Sequence, residues 1–308
     1  MSQILWTSSS VTLRDTVISG YIVNIEPLKI GAGREPPLEA PVDVAVLRMN
    51  YKNTTIPYIP GSSLKGVFRS YATIFAKAKG SRVCSGLSKE TCGEIIKLRD
   101  EFGKELLLND LIDLYIKENM SRKAMEIFFN KACLMCKIFG STKYMSKIYF
   151  SDAYPIDEAG NVLDFKFNVR TGIAIDRVTG AVYGGALYTT EYIEPGAKFR
   201  FSITCRNLPN YALGLLALVI ERINDGYIKI GGFKSRGFGA VKIEELKFKN
   251  REAESSLKMR SLEPSIDLEV DLSNVARLEN GWIVAEKNDA WEIIKKLRGV
   301  WDIVAKSD

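Results

Sequence analysis

Four of the five cysteines carry the most specific chemical spacing in this chain. Seven residues separate Cys84 from Cys92, forty more lead to Cys133, and Cys133-Leu-Met-Cys136 is a C-x-x-C. Four thiolates so arranged can close a tetrahedral zinc site with no open coordination position, which makes such a site structural. Buried free thiols or a redox pair satisfy the same spacing, and an intracellular disulfide is the least favoured reading. Cys205 is left over in a strand-like stretch. There is no histidine anywhere, so the commonest general acid–base group and the commonest zinc nitrogen ligand are both missing. Proton transfer would fall to carboxylate, Lys, Tyr or metal-bound water.

Two further stretches suit a phosphate. In "PGSSLKG", residues 60–66, Gly61 and Gly66 bracket four residues, but no Gly-Lys-Ser/Thr follows, so this is not a nucleotide-hydrolysing loop. What remains is a helix start with free N–H groups, the hydroxyls of Ser62 and Ser63, and Lys65 and Arg69 four residues apart on one face. The plain alternative is an ordinary helix with Ser62 or Ser63 as its N-cap. The second stretch is "GGFKSRGFGAVKI", residues 231–243. Arg236-Gly237-Phe238-Gly239 and Val241 fit the RNA-binding signature of RRM sheets, but Ala240 and Ile243 stand where bases would be stacked. Gly231, Gly232 and Gly237 allow close backbone approach, and Lys234, Ser235 and Arg236 offer charge and a hydroxyl. A tight bend before an edge strand is the structural alternative.

Charge points the same way. The net charge is +6, yet no acidic residue occurs between Asp43 and Glu90, an interval holding eight lysines and arginines. A one-signed run of this length around a helix suits a polyanion, although a solvated face balanced from elsewhere would read alike. The longest apolar run, "ALGLLALVI", falls far short of a membrane span of about 20 residues. The N-terminus lacks a signal-peptide pattern, so a cytoplasmic protein without membrane partners is expected.

The elements that must position these residues follow from periodicity. Residues 16–31 read as a strand, 34–45 as a proline-rich loop, and the stretch 56–80 as giving a helix with Ser62 or Ser63 as N-cap and Gly80 as stop. Residues 84–136 form a helical insertion without an evident core, which a metal would fold. A strand at 147–156, a helix at 211–225 ended by Gly226, and a strand over 240–249 come next. Residues 251–265 read as polar linker, and a terminal helix capped near Asn288 carries Trp291, Ile294, Leu297, Trp301 and Val304 at helical spacing. The order suits an α+β fold: an RRM/ferredoxin-like β-α-β-β-α-β core with a helical zinc-binding insertion, a hairpin and a C-terminal extension. The expected division is 1–250, with the insertion at 81–140 and the hairpin at 170–196, followed by 251–308.

Taken together, "IPGSSLKGVFRS", "CLMCKIFGS", "KIYFSDAYP", "RTGIAIDRVTGAVYGGALYTTEYIEPG" and "GGFKSRGFGAV" resemble, in that order, the RAMP superfamily of CRISPR proteins. Within it they resemble the Csm- and Cmr-type backbone subunits of type III effectors. The likeness covers roughly residues 16–248 and leaves the C-terminal sixty without a counterpart.

The resemblance implies copies stacked as a filament along a guide RNA (crRNA), with other effector subunits and a paired target RNA as partners. It implies that Ser62, Ser63, Lys65 and Arg69 and the loop Gly231, Gly232, Lys234, Ser235, Arg236 and Gly237 hold the guide backbone. The segment after Arg170 resembles the thumb that kinks the guide–target duplex, with Ile175, Asp176, Arg177 and Thr179 matching it. An ordinary exposed hairpin with a Thr179-Gly180 turn is the alternative. "APVDVAVLR" matches the loop whose Asp cleaves target RNA with Mg²⁺ or Mn²⁺, which puts Asp43 at that position; Glu35 and Glu39 share the loop. The family usually has Ser after this Asp, and Val44 removes that hydroxyl. The resemblance also implies structural Zn²⁺ on Cys84, Cys92, Cys133 and Cys136. Three rivals follow: a scaffold without catalysis, a nuclease processing precursor guide RNA, and a generic RRM single-strand binder. Missing histidine and a single glycine-rich loop weigh against the second, and Ala240 and Ile243 against the third.

Overall fold

The computed structural model describes residues 2–31, 44–254 and 256–304. Asp43, Glu35 and Glu39 therefore lie outside the described residues. In chain order the main elements are β1 (Arg14–Asn24), α1 (Gly61–Ala78), α2 (Leu108–Lys117), α3 (Ser121–Lys131), α4 (Leu134–Phe139), β2 (Ile148–Phe150), β3 (Phe167–Ile175), β4 (Val182–Ile193), β5 (Lys198–Arg206), α5 (Asn210–Asn224), β6 (Val241–Glu252), β7 (Arg277–Glu279), β8 (Trp282–Glu286) and α6 (Lys287–Val304). The fold is mixed α+β with open antiparallel sheets.

The central sheet runs β7-β8-β6-β1-β5-β2, antiparallel at every step. Strand β1 lies mid-sheet, and its alternate residues Arg14, Thr16 and Ile18 are buried. It ends at Asn24 rather than continuing to Gly31. There the Asn24 amide donates to the carbonyls of Glu26 and Glu194, each at 2.9 Å, and Pro27 offers no ladder N–H. Helices α1, α5 and α6 share one core with the sheet, through Leu64 and Phe68, Leu213 and Leu216, and Ile294 and Leu297.

Helix α1 begins one residue before the expected cap. Pro60, in extended backbone, precedes it, and neither Ser62 nor Ser63 caps the helix. The Gly61 N–H donates instead to Asp152 Oδ1 at 2.7 Å. A Cβ at Gly61 would sit 2.5 Å from the Phe150 carbonyl oxygen, so only glycine lets the helix start this close to β2.

The insertion has a small core of its own, contrary to the expectation. Leu108, Leu111, Ile112, Tyr115 and Phe128 pack with Cys92 and Cys136, and the Phe128 ring stacks on Tyr144 with centroids 3.8 Å apart. Strands β3 and β4 form a separate two-stranded sheet.

Residues 251–265 are not a linker. Strand β6 continues to Glu252, Met259 and Leu262 are buried, and the Glu263 carboxylate accepts from Trp6 Nε1 at 3.0 Å and the Tyr211 hydroxyl at 2.7 Å. Asp267 accepts from the N–H groups of Asn210 and Tyr211, at 3.1 and 2.9 Å, and so caps α5 from the far end of the chain. Helix α6 begins at Lys287 and buries Trp301 against α5, while Trp291 is half-buried. Among the described residues no helix is long and apolar enough to cross a membrane.

Candidate metal centre and nucleic-acid interface

The topology brings the four spaced cysteines together. All four Sγ atoms lie within 4.8 Å of one another. Cys84 Sγ is 3.3 Å from Cys136 Sγ and 3.6 Å from Cys133 Sγ. Tetrahedral bonds near 2.3 Å to one zinc put sulfurs about 3.8 Å apart, so the set needs only slight opening. None is in a disulfide. Mutual hydrogen bonds push the thiols apart in acidity: Cys136, Cys84 and Cys92 draw Cys133 down, while Cys133, Cys84 and Cys92 hold Cys136 up. A divalent cation would let all four ionise together. Cys205 is buried in β5, away from this group.

The helix start and the glycine-rich loop also meet, although 164 residues lie between Gly66 and Gly231 in the chain. Between them lies a groove of about 380 Å³, lined by Gly31, Ser63, Gly66, Gly231, Gly232 and Lys234 among others. Among the described residues no carboxylate lines it. The tip of α1 is a different matter, because Asp152 already occupies it. An incoming phosphate therefore meets the flank of the helix rather than its end. Ser62 is exposed beside the groove.

The glycines divide by role. Gly231, at φ +85°, lies against Lys29, where a Cβ would meet the carbonyl oxygen at 2.3 Å, and Gly239, at φ +89°, lies equally close to Ile230. These two serve the protein's own backbone. Gly232 faces the groove, and Gly237, at φ +79°, has open space around it. Ala240 and Ile243, the missing aromatics of the RRM signature, are buried in the protein rather than facing a ligand.

Lys65 and Arg69 do not line this groove. At 100° per residue they lie on another face of α1 from Ser63 and Gly66, turned toward the insertion. Burial, with Arg69 adjacent, holds the Lys65 ammonium below its usual range. Arg236 is likewise engaged: it donates to the Tyr188 hydroxyl and lies 5.4 Å from the Phe233 ring centroid. It ties the glycine-rich loop to the base of the β3–β4 hairpin. Phe233 takes the left-handed conformation at φ +55° and stacks near Tyr188. Lys234 and Ser235 remain exposed.

At the hairpin tip, Asp176 Oδ1 accepts from the N–H groups of Val178 and Thr179, both at 2.8 Å, and from the Thr179 hydroxyl. Those bonds hold the Asp176 carboxyl below its usual range. Asp176 and Thr179 thus build the turn, leaving Arg177 exposed. Ile173, Ile175, Val178 (95 % exposed), Val182 and Leu187 form an apolar, solvent-facing blade.

The loop carrying Asp43 re-enters the described structure at Val44, which bridges to Thr190 in β4. The ammonium of Lys29, a side chain only 2 % exposed, donates to the carbonyls of Val44 and, at 2.9 Å, Ala45. Burial pushes this ammonium down to about 8, with Glu191 pulling it back up. Glu191 also accepts from the Val46 N–H at 3.0 Å and pairs with Arg48.

The sequence matches the RAMP superfamily over residues 22–242. The chain belongs to that superfamily. It is also similar to the "CRISPR system Cms endoribonuclease Csm3" of Methanocaldococcus jannaschii, 28% identical over 124 residues. The alignment covers 37% of this chain and 49% of the relative, so the chain spans about half the length of that protein.

In this RAMP-superfamily chain, sequence reasoning missed Lys29, Asp152, Tyr188 and Glu191. Lys29 had a visible signal, a lone lysine in "IEPLKIG", but period-2 patterning would have placed it on a solvent face. Asp152, in "YFSDAYP", is fixed by a contact with a helix start 91 residues upstream, which no local pattern reports.

Proposed function

We propose that this chain is a backbone subunit of a type III CRISPR effector that clamps guide RNA by its phosphates and cuts the paired target. In this reading β6-β1-β5-β2 with α1 and α5 is an RRM/ferredoxin-like core, decorated by the insertion, the thumb-like hairpin and residues 251–308. The observation that carries the proposal is the groove joining Ser63 and Gly66 to Gly231, Gly232 and Lys234, in which none of the described residues places a carboxylate. It offers charge, hydroxyls and close backbone approach, with Tyr71 the aromatic side chain in its lining, and contacts of that kind grip a backbone while leaving a guide's bases free to pair. The apolar hairpin blade suits the wedge that kinks the duplex. Further copies of this chain and other effector subunits would extend the filament.

Asp43 is the residue proposed for cleavage, either holding Mg²⁺ or Mn²⁺ or orienting the target 2′-hydroxyl toward the adjacent phosphate. The pinning of Val44 and Ala45 by Lys29 supports this, because a cleaving carboxylate needs a fixed loop. Val44 in place of the family's Ser favours a second reading, a scaffold that binds guide without cutting. The zinc proposed for the four cysteines has a structural role in either case.

The test of the clamp is RNA affinity by fluorescence anisotropy, for wild type and Lys234→Gln, with guides of unrelated sequence. Wild type should bind all of them alike, and the variant should lose about tenfold on each. Affinity that follows base sequence would sink the backbone-clamp reading.

A further inference from the structure

Helix α1 and the cysteine-bearing insertion line a second, open cavity of about 380 Å³, separate from the groove. One wall carries Lys65 and Arg69. The other is made by Ser88 and Thr91, between Cys84 and Cys92, and by Ser141 and Thr142, shortly after Cys136. The four-cysteine cluster therefore fixes both segments of the outer wall.

The chemistry of the lining is one-sided. Among the described residues no carboxylate lines the cavity, and neither Lys65 nor Arg69 forms an ion pair. Glu94, near the outer wall, accepts hydrogen bonds from Thr91 and Thr142 and belongs to that wall's internal bonding. The Arg69 guanidinium donates once, through Nη1 to the Gly140 carbonyl at 3.2 Å. Its Nε and Nη2 are buried and have no partner. Gly86, at φ +76°, is what admits it, since a Cβ there would lie 2.3 Å from the guanidinium. A buried, charged donor without an acceptor is costly and rare in folded proteins. These two N–H groups lie against Gly86 and have no acceptor among the described residues, and the Lys65 ammonium and the Ser88 and Ser141 hydroxyls line the same cavity.

We infer that this cavity is a phosphate-binding site built jointly by α1 and the insertion, with Arg69 and Lys65 supplying charge and Ser88 and Ser141 supplying hydroxyl donors. A guanidinium fork and an ammonium converging on one space match a tetrahedral oxyanion better than a planar carboxylate of a peptide. The phosphate is either a diester of bound RNA, in which case the inference rests on the guide-binding reading, or free inorganic phosphate. If it is RNA, the insertion belongs to the binding surface and does more than decorate the fold.

The experiment uses the full chain, two probes and three variants. The probes are a short 5′-hydroxyl single-stranded RNA, followed by anisotropy, and inorganic phosphate, followed by thermal stabilisation. Ser141→Asp puts a carboxylate into the cavity without touching the helix, Lys65→Gln removes a charge, and Lys234→Gln alters only the groove. Ser141→Asp and Lys65→Gln should each weaken RNA about tenfold and make the salt dependence shallower by about one ion. Ser141→Asp should not lower the melting temperature, because its carboxylate stands in for the anion. If RNA is unaffected by both but phosphate stabilises wild type and not Ser141→Asp, the site stands with free phosphate as its ligand. If neither probe separates wild type from Ser141→Asp and Lys65→Gln, the site is refuted. A loss of RNA affinity in Lys234→Gln alone would refute the cavity as an RNA site and keep the groove. Absence of RNA binding altogether would refute the guide reading, and the phosphate probe would still decide the cavity.

Discussion

Replacing Lys29 by Met tests whether a buried charge pins the loop that carries Asp43. Burial holds the Lys29 ammonium down to about 8 in the folded chain, against its ordinary 10.5 when unfolded. Below about 8 the ammonium is protonated in both states, and the burial penalty is fully present. Between about 8 and 10.5 the unfolded chain binds the extra proton, so stability rises with pH, and above 10.5 the penalty has gone. The gap corresponds to about 3 kcal/mol. Lys29→Met removes that penalty but strands the Val44 and Ala45 carbonyls, at about 1–3 kcal/mol each. The net change in stability near neutral pH should therefore be small, whereas the rise from about 8 to 10.5 should shrink by about 3 kcal/mol. Lys147, also held down to about 8 by burial, keeps its own share of the rise. Urea unfolding of both proteins across this range reads the difference directly. In the assembled complex, guide binding should survive and target cleavage should fall on the order of a hundredfold, the cost of a loosened attack geometry. An unchanged pH dependence would refute the buried charge, and unchanged cleavage would refute the pinning.

Three other outcomes follow from the same structure. The purified chain should carry one zinc, and Cys133→Ser should release it; amide exchange should then rise across 84–146 while β1, β5 and β6 stay protected, because the insertion's core is separate from the main one. Global unfolding, or no bound metal at all, would contradict this. Gly214→Ala should lower stability by about 1–3 kcal/mol, since the new Cβ would lie 2.2 Å from the Leu297 carbonyl oxygen where α5 and α6 touch; an unchanged melting curve would show that the two helices separate at little cost. Removing 266–308 should abolish soluble folded protein, since it strips Asp267 from the α5 cap and Trp301 from the core. A well-folded truncation would restore the idea of a peripheral extension.

What was legible in the sequence was mostly local. Helix α1, helix α5 and the terminal helix follow from apolar spacing, and Gly226, at φ +74°, ends α5 as its type predicts. The cysteine spacing correctly announced a cluster, because a C-x-x-C and two upstream cysteines need only one insertion to bring them together. What escaped was set by contacts between distant segments. The resemblance groups Lys65 and Arg69 with Lys234, while helical geometry puts them on a different face of α1 from the groove that Lys234 lines. The polar composition of 251–265 hid a segment whose Glu263 carboxylate is buried because Trp6 and Tyr211 supply its donors, and just beyond it Asp267 takes its donors from the start of α5. The tie of the exposed Arg236 to Phe233 and to Tyr188 in the hairpin likewise had no local signal in the sequence.

The most direct test of the whole account is target-RNA cleavage by the complex assembled around guide RNA, comparing wild type with Asp43→Ala at equal guide occupancy. The account predicts unchanged guide binding and assembly, with cleavage at the positions this subunit serves abolished. Cleavage that persists in Asp43→Ala would contradict it, and so would a wild-type complex that binds paired target and never cuts.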